Sequence, residues 1–284
     1  MELWYTEDQT DNVRFSMKIR EHLYTEKTPL QQLDIFETYE FGKLMTLDGL
    51  VMITEKDEFI YHDMIVHVAM ATNLEIKNVL VIGAGDGGTV RELTRYPHVQ
   101  KIDMVEIDEA VTRACQKYIP LTASKLEDPR VNLYFEDGIE FVKNKKSQYD
   151  LIIVDSTDPI GPGEGLFTLE FYQNCYDLLT DNGILVNQNE SPYYPGNARE
   201  LKRAHSKIKT IFPICEVYQY HMPTYPSGHW LFGFSSKKFH PVKDYNKEKW
   251  LELNLKTKYY NPEIHVGAFA LPTYVKEMLA HEQK

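Results

Sequence analysis

Two kinds of hydrophobic spacing divide the chain near residue 55. Before it, short apolar runs alternate with turn signals: Val13 to Ile19, Leu30 to Thr38, Gly42 to Leu47 and Leu50 to Thr54. Runs of this length, bounded by turn residues, predict strands. Asp48-Gly49 separates the last two and predicts a tight two-residue hairpin. A small antiparallel β domain over residues 1–55 is the expectation.

Beyond this point the period changes. Thr54-Glu55-Lys56-Asp57-Glu58 reads as a capping-box start with acids in the first turn. Ile60, Met64, Val68 and Ala71 then follow at helical spacing. Apolar runs and helical stretches now alternate. Strands are predicted at Val79 to Ile82, Ile102 to Ile107, Val131 to Phe135, Leu151 to Val154 and Ile184 to Asn187. Helices are predicted at Gly88 to Tyr96, Glu109 to Tyr118, Gly138 to Asn144 and Phe167 to Leu179. Such alternation predicts an α/β fold, with a mostly parallel sheet and helices on both faces, over residues 56–284. Near the end, His229 to Ser235 and Ile264 to Phe269 predict edge strands.

Composition narrows the partners. Of 284 residues 43% are hydrophobic, enough for a sizeable core, and 42 acids against 31 bases give a net charge of −11. An acidic chain repels nucleic acid and anionic membrane and attracts cationic ligands. Cys115, Cys175 and Cys215 are far apart and outside any metal-binding spacing, which fits free thiols in a reducing compartment. The opening residues hold no apolar core of a signal peptide, and no run reaches the ~18 apolar residues of a membrane span. A cytoplasmic protein binding neither nucleic acid nor membrane is expected.

The candidate chemistry lies at strand ends, where open α/β sheets bind ligands. Val81-Ile82-Gly83-Ala84-Gly85-Asp86-Gly87-Gly88 contains the spacing G-x-G-x-x-G, but with an aspartate inside the loop. Glycines there let the backbone approach a ligand at a helix N-terminus. Asp86 facing a dinucleotide pyrophosphate would cost about 1–4 kcal/mol per phosphate charge. The same charge favours a cationic nucleoside, an S-adenosylmethionine type of sulfonium. Glu106 ends the next strand and reads either as the acceptor of two ribose hydroxyls or as a solvated strand-end acid. Asp137-Gly138 reads either as an adenine contact or as a helix cap.

The fourth strand ends in Asp155-Ser156-Thr157-Asp158-Pro159, followed by the Gly/Pro-rich Ile160 to Leu166, which reads as a lid or a plain connection. Asp86, Asp155 and Asp158 form a ring of acids that suits a polyamine, with Tyr61 and His62 lining the same slot. A protonated amine has no lone pair, so a group must bind the cation and accept its proton. Burial among like charges would raise an aspartate toward that task. Asp155 is assigned both roles.

The chain resembles the spermidine synthases, or polyamine aminopropyltransferases. The matching blocks are Leu47 to Met64, Val79 to Glu92, Asp155 to Pro162, Pro223 to Gly228 and Tyr259 to Pro272. The D-S-T-D-P block beside G-A-G-D-G-G is the specific part of this match. The resemblance implies a small N-terminal β domain before a Rossmann-like, methyltransferase-type catalytic domain, assembled as a homodimer or homotetramer. It implies aminopropyl transfer from decarboxylated S-adenosylmethionine, a co-substrate, to putrescine, with no cofactor and no metal. Products would be spermidine and methylthioadenosine; agmatine, cadaverine or spermidine is the alternative acceptor. By the same resemblance Asp155 is catalytic. Gln31, Gly83, Gly85, Glu106, Asp137, Gly138 and Pro162 meet the nucleoside. Tyr61, His62, Asp86, Ser156, Thr157, Asp158 and Tyr225 meet the amine with Asp155, and Trp4 closes the far end of the slot. Three other readings weaken. An NAD-dependent oxidoreductase conflicts with Asp86, a methyltransferase with the D-S-T-D-P block, and a non-catalytic binder with the intact Asp155 and Asp158.

Overall fold

The computed structural model describes residues 2–143, 145–157 and 161–280. Among them the chain opens with β1 (Leu3–Thr10), β2 (Val13–Lys27), β3 (Gln32–Thr38), β4 (Lys43–Leu47) and β5 (Leu50–Thr54), forming one antiparallel sheet in sequence order. The sequence pattern missed β1 and stopped β2 early. Asp48 and Gly49 both take positive φ, 50° and 78°, and Leu47 pairs directly with Leu50. This is the backbone of the hairpin turn that matches strand twist.

The second layer begins with α1 (Glu58–Thr72), then β6 (Asn78–Gly83), α2 (Gly88–Thr94), β7 (Lys101–Glu106), α3 (Glu109–Tyr118) and α4 (Pro120–Ala123). It continues through β8 (Val131–Phe135), α5 (Gly138–Val142), β9 (Tyr149–Asp155), a 3₁₀ turn at Gly161–Phe167, α6 (Leu169–Leu178) and β10 (Leu179–Gln188). It closes with α7 (Pro195–Lys209), β11 (Ile214–His221), β12 (His229–Ser236), α8 (Lys247–Glu252), α9 (Pro262–Ala268) and α10 (Thr273–Ala280). The second sheet has the order β11-β12-β10-β9-β6-β7-β8. Its centre is parallel and β12 joins it antiparallel, with β11 as the outer strand.

Helices cover both faces because central strands alternate their side chains. On β6, Val79 and Val81 enter one core with α1, while Leu80 and Ile82 enter another with Phe171 and Tyr172 of α6. The first core also takes in Leu33, Ile35 and Ile53, so the small sheet and the large one share hydrophobic packing. α1 carries Ile60, Met64, Val68 and Ala71 buried at helical spacing, and its burial extends well beyond them. The helix is buried on nearly every side, including Glu58, His62, Asp63 and His67. Those charges are therefore structural or functional commitments, not a solvated face.

Two other expectations fail. Ile264 to Phe269 is not an edge strand but most of α9. Asn261 accepts a hydrogen bond from the Ile264 N–H, and Pro262 occupies the first turn, a helix start that the short apolar run concealed. The helix after Thr54 starts without a capping box. Thr54 ends β5 and donates to Asp57 Oδ1 at 2.5 Å, while Asp57 Oδ2 accepts from the Thr224 backbone N–H and hydroxyl. Among the described residues no helix is long and apolar enough to cross a membrane.

Candidate active site

A cavity of about 550 Å³ opens at the carboxyl ends of β6, β7 and β9, walled on its other side by the first sheet. Gly83, Gly85 and Asp86 enter it from the loop after β6, Glu106 from β7, and Asp137 and Gly138 from the start of α5. Asp155 enters from the end of β9 with Ser156 and Thr157 just beyond it, Tyr61 and His62 from α1, Gln31 from the β2–β3 connection, and Tyr225 from the β11–β12 loop. Asp158 lies outside the described residues. Pro162 falls in the 3₁₀ turn, and its side chain is likewise outside them.

Asp155 is gripped at both oxygens. The Tyr61 hydroxyl donates to Oδ1 at 2.6 Å and the Thr89 hydroxyl to Oδ2 at 2.6 Å. Thr89 was not foreseen; its only sequence signal is its place in the first turn of the helix after the glycine loop. Gly83 makes this approach possible. Its φ is +85°, a Cβ there would overlap the Asp155 carbonyl, and the Ala84 N–H donates to that carbonyl at 2.9 Å. Burial, then the charge of Asp86, pushes the Asp155 carboxyl up, against the lowering effects of His62, Thr89 and Tyr61. The result is a carboxylate held in one orientation and made more basic than usual. Ser156 Oγ is buried with no hydrogen-bond partner among the described residues.

Asp86 neighbours a histidine as well as a glycine loop. Its Oδ1 accepts from the Gly88 N–H at 2.8 Å and lies 3.3 Å from His62 Nε2. The ring of His62 packs where a Cβ on Gly88 would stand, which is the close approach that this glycine serves. His62 Nδ1 lies 2.6 Å from Glu58 Oε2. Burial opposes a charge on His62, but Asp86 and Glu58 outweigh it and raise its pKa to about 10. The ring is therefore an imidazolium at neutral pH.

At the other end, Glu106 is 8% exposed, so it is not a solvated strand-end acid. Its Oε1 accepts from the Asp108 N–H at 2.8 Å, and burial raises its pKa to about 7. Asp137 takes the capping role, accepting from the Ile139 N–H at 2.8 Å, while still facing the cavity. Gln31 donates to Asp108 Oδ2 at 3.0 Å and Thr28 does so at 2.8 Å, tying the first sheet to the start of α3.

The remaining wall was only partly foreseen. Tyr225 donates to the Met52 carbonyl at 2.5 Å, its ring set edge-on to Tyr61 and Trp230. Glu7, Gln188, Glu190 and Trp230 also line the cavity and were missed. Trp4 does not close it: the side chain is 56% exposed, because alternation on β1 turns Tyr5 and Glu7 inward and Trp4 outward. Away from the cavity, Asp63, His67 and Glu92 offer ligand atoms within 4.8 Å of one another. They are already engaged: Asp63 Oδ2 accepts from the N–H groups of Lys258, Tyr259 and Tyr260, and Glu92 pairs with Arg91 and Arg95.

Comparison with known proteins fits this geometry. Residues 58–247 match the spermine/spermidine synthase domain, and residues 3–55 match the spermidine synthase tetramerisation domain. A polyamine aminopropyltransferase of Clostridium beijerinckii is 66% identical over 279 residues, 98% of each chain. One of Alkaliphilus oremlandii is 65% identical over 284 residues, 100% of each chain. A spermidine synthase crystallised with the transition-state analogue AdoDATO superposes with TM-score 0.95 at 44% identity, covering 98% of this chain and 94% of the other. The spermidine synthase of Thermotoga maritima gives TM-score 0.92 at 42% identity, with the same coverage. The chain is thus a transferase and belongs to the spermine/spermidine synthase family, the polyamine aminopropyltransferases.

Proposed function

We propose that the enzyme is a spermidine synthase, moving the aminopropyl group of decarboxylated S-adenosylmethionine to putrescine. The observation that carries this reading is Asp155, fixed at both oxygens beside Asp86 in one buried cavity. The amine nitrogen attacks the propyl carbon on sulfur. The carbon–sulfur bond breaks, sulfur keeps the electron pair, and the amine proton passes to Asp155. The departing thioether is neutral and needs no acid, so orientation supplies most of the rate. Asp86 and Tyr225 hold the diamine, with Tyr61, Ser156 and Thr157 around the attacking end. Glu106, Asp137, Gly138 and Gln31, with the Gly83 and Gly85 backbone, hold the nucleoside. No metal or organic cofactor takes part in this scheme.

Residues 1–55 act as an assembly and wall unit, and residues 56–284 as the catalytic unit of a homodimer or homotetramer. The match of residues 3–55 to a tetramerisation domain supports this, as do the exposed Leu3 and Trp4. Three free cysteines support work in the reducing cytoplasm.

The test is a product assay with decarboxylated S-adenosylmethionine and, separately, putrescine, cadaverine, agmatine and spermidine. Methylthioadenosine plus spermidine, with putrescine the best acceptor, is expected. A different best acceptor would replace the putrescine assignment, and turnover with none would overturn the reaction.

A further inference from the structure

We infer that Glu58 and Arg91, which do not line the cavity, are positioning residues that fix the orientation of Asp86 through the His62 ring. The inference rests on the reading of Asp86 as an amine-binding group. The chain is hydrogen-bonded from Arg91 to His62 and closes on Asp86 by a charge contact. Arg91 donates to Glu58 through two nitrogens, at 3.1 and 2.9 Å. Glu58 Oε2 lies 2.6 Å from His62 Nδ1, and His62 Nε2 lies 3.3 Å from Asp86 Oδ1. Arg91 belongs to α2, and the Gly88 N–H that begins α2 returns to Asp86 Oδ1 at 2.8 Å. The ring leaves α1, touches the glycine loop and is stapled from both helices.

Burial argues for a purpose beyond stability. The side chains of Glu58 and His62 are each 1% exposed. Buried ion pairs return little net stability over an apolar replacement, so their value is geometric. The charged and titratable groups facing His62 are Glu58 on its own helix, Asp86 on the loop, Arg91 behind Glu58, and Asp155 at the end of β9. The Tyr61 ring meets it edge-on at 5.5 Å. Glu58 sits below its usual range, near 2, so it stays an anion over the working pH range and holds the imidazolium. With Glu58 neutral, His62 would lose its proton more readily. Asp86 would then face a neutral ring and lose the charged partner that holds its carboxylate in place.

The experiment uses the whole chain carrying Glu58→Gln, ¹⁵N-histidine labelling of wild type and variant, and steady-state kinetics. In the wild type, both ring nitrogens of His62 are expected to stay protonated at pH 7.5. In Glu58→Gln the ring is expected to titrate at lower pH. The putrescine KM should rise about tenfold, with kcat and methylthioadenosine affinity changing far less. In a His62→Gln background the Glu58 substitution should add nothing further, as a shared chain requires. A neutral His62 in the wild type at pH 7.5 overturns the inference. So does a folded Glu58→Gln with unchanged putrescine KM, or independent effects in the double variant. If Glu58→Gln does not fold, Arg91→Lys reads the same chain, and an unchanged KM there counts against it. Absence of aminopropyl transfer in the wild type would sink the amine reading of the site, whereas the His62 titration tests the cation chain by itself.

Discussion

The Tyr61 hydroxyl lies 2.6 Å from Oδ1 of Asp155, joining the first turn of α1 to the last residue of β9. This bond holds the proposed proton acceptor and also moderates it, since Tyr61 lowers a carboxyl that burial raises. In Tyr61→Phe the acidic limb of the kcat/KM profile should therefore move to higher pH. A limb that stays in place would separate Asp155 from that limb.

Replacing Asp155 by Asn keeps the shape and removes the basic oxygen. Turnover should fall roughly 10²–10⁴-fold, the usual worth of a positioned proton acceptor. Calorimetry should find methylthioadenosine affinity almost unchanged. Normal turnover in the variant would remove Asp155 from the mechanism.

On the proposed reading, Asp86→Asn removes a charge-assisted contact to the acceptor. The putrescine KM should rise about 10–100-fold, the equivalent of roughly 1.5–3 kcal/mol. A variant that gained NAD binding without losing amine use would refute the electrostatic account of the glycine loop.

Glu106 links nucleoside affinity to pH. With burial raising its pKa to about 7, the carboxylate that the proposed site uses to accept ribose hydroxyls is progressively lost below neutrality. Methylthioadenosine should bind more weakly as pH falls from 8 to 6. In Glu106→Gln binding should be weaker throughout and flat with pH. Calorimetry across that range reads both.

His62 links folding stability to pH in the opposite sense. Its folded pKa of about 10 exceeds the roughly 6.5 of an unfolded histidine. Its contribution is then fully present below the unfolded value and is lost as pH rises through the folded one. Denaturant titrations at pH 7 and 9, at fixed protein concentration, should show a loss in the wild type that shrinks in His62→Gln.

Much of this architecture is legible in the sequence because strand ends carry the chemistry. The acids Asp86, Glu106 and Asp155 follow runs of buried apolar residues, Asp137 follows the partly exposed edge strand β8, and the sheet order brings all four into one cavity. What stays hidden acts across elements. Thr89 reaches Asp155 from the next helix, and Arg91 reaches Glu58 from α2 to α1. Neither contact has a local signature. β1 is hidden differently: its inward positions, Tyr5 and Glu7, include an acid, while Leu3 and Trp4 face outward, so no apolar-in, polar-out alternation marks the strand. In α9 the short apolar run has strand-like propensity, and the Asn261 cap with Pro262 in the first turn overrides it.

The bonds from Thr28 and Gln31 to Asp108 carry a consequence for protein engineering. Met45, Leu47, Val51 and Met52 wall the cavity from the same sheet that supplies those bonds. The first 55 residues are therefore not an exchangeable handle. A chimera that grafted another assembly module onto α1 would keep every acid of the large sheet yet leave their pocket open to water along one side. Any library that recombines these enzymes should place its crossover inside neither sheet, and should inherit both from one parent.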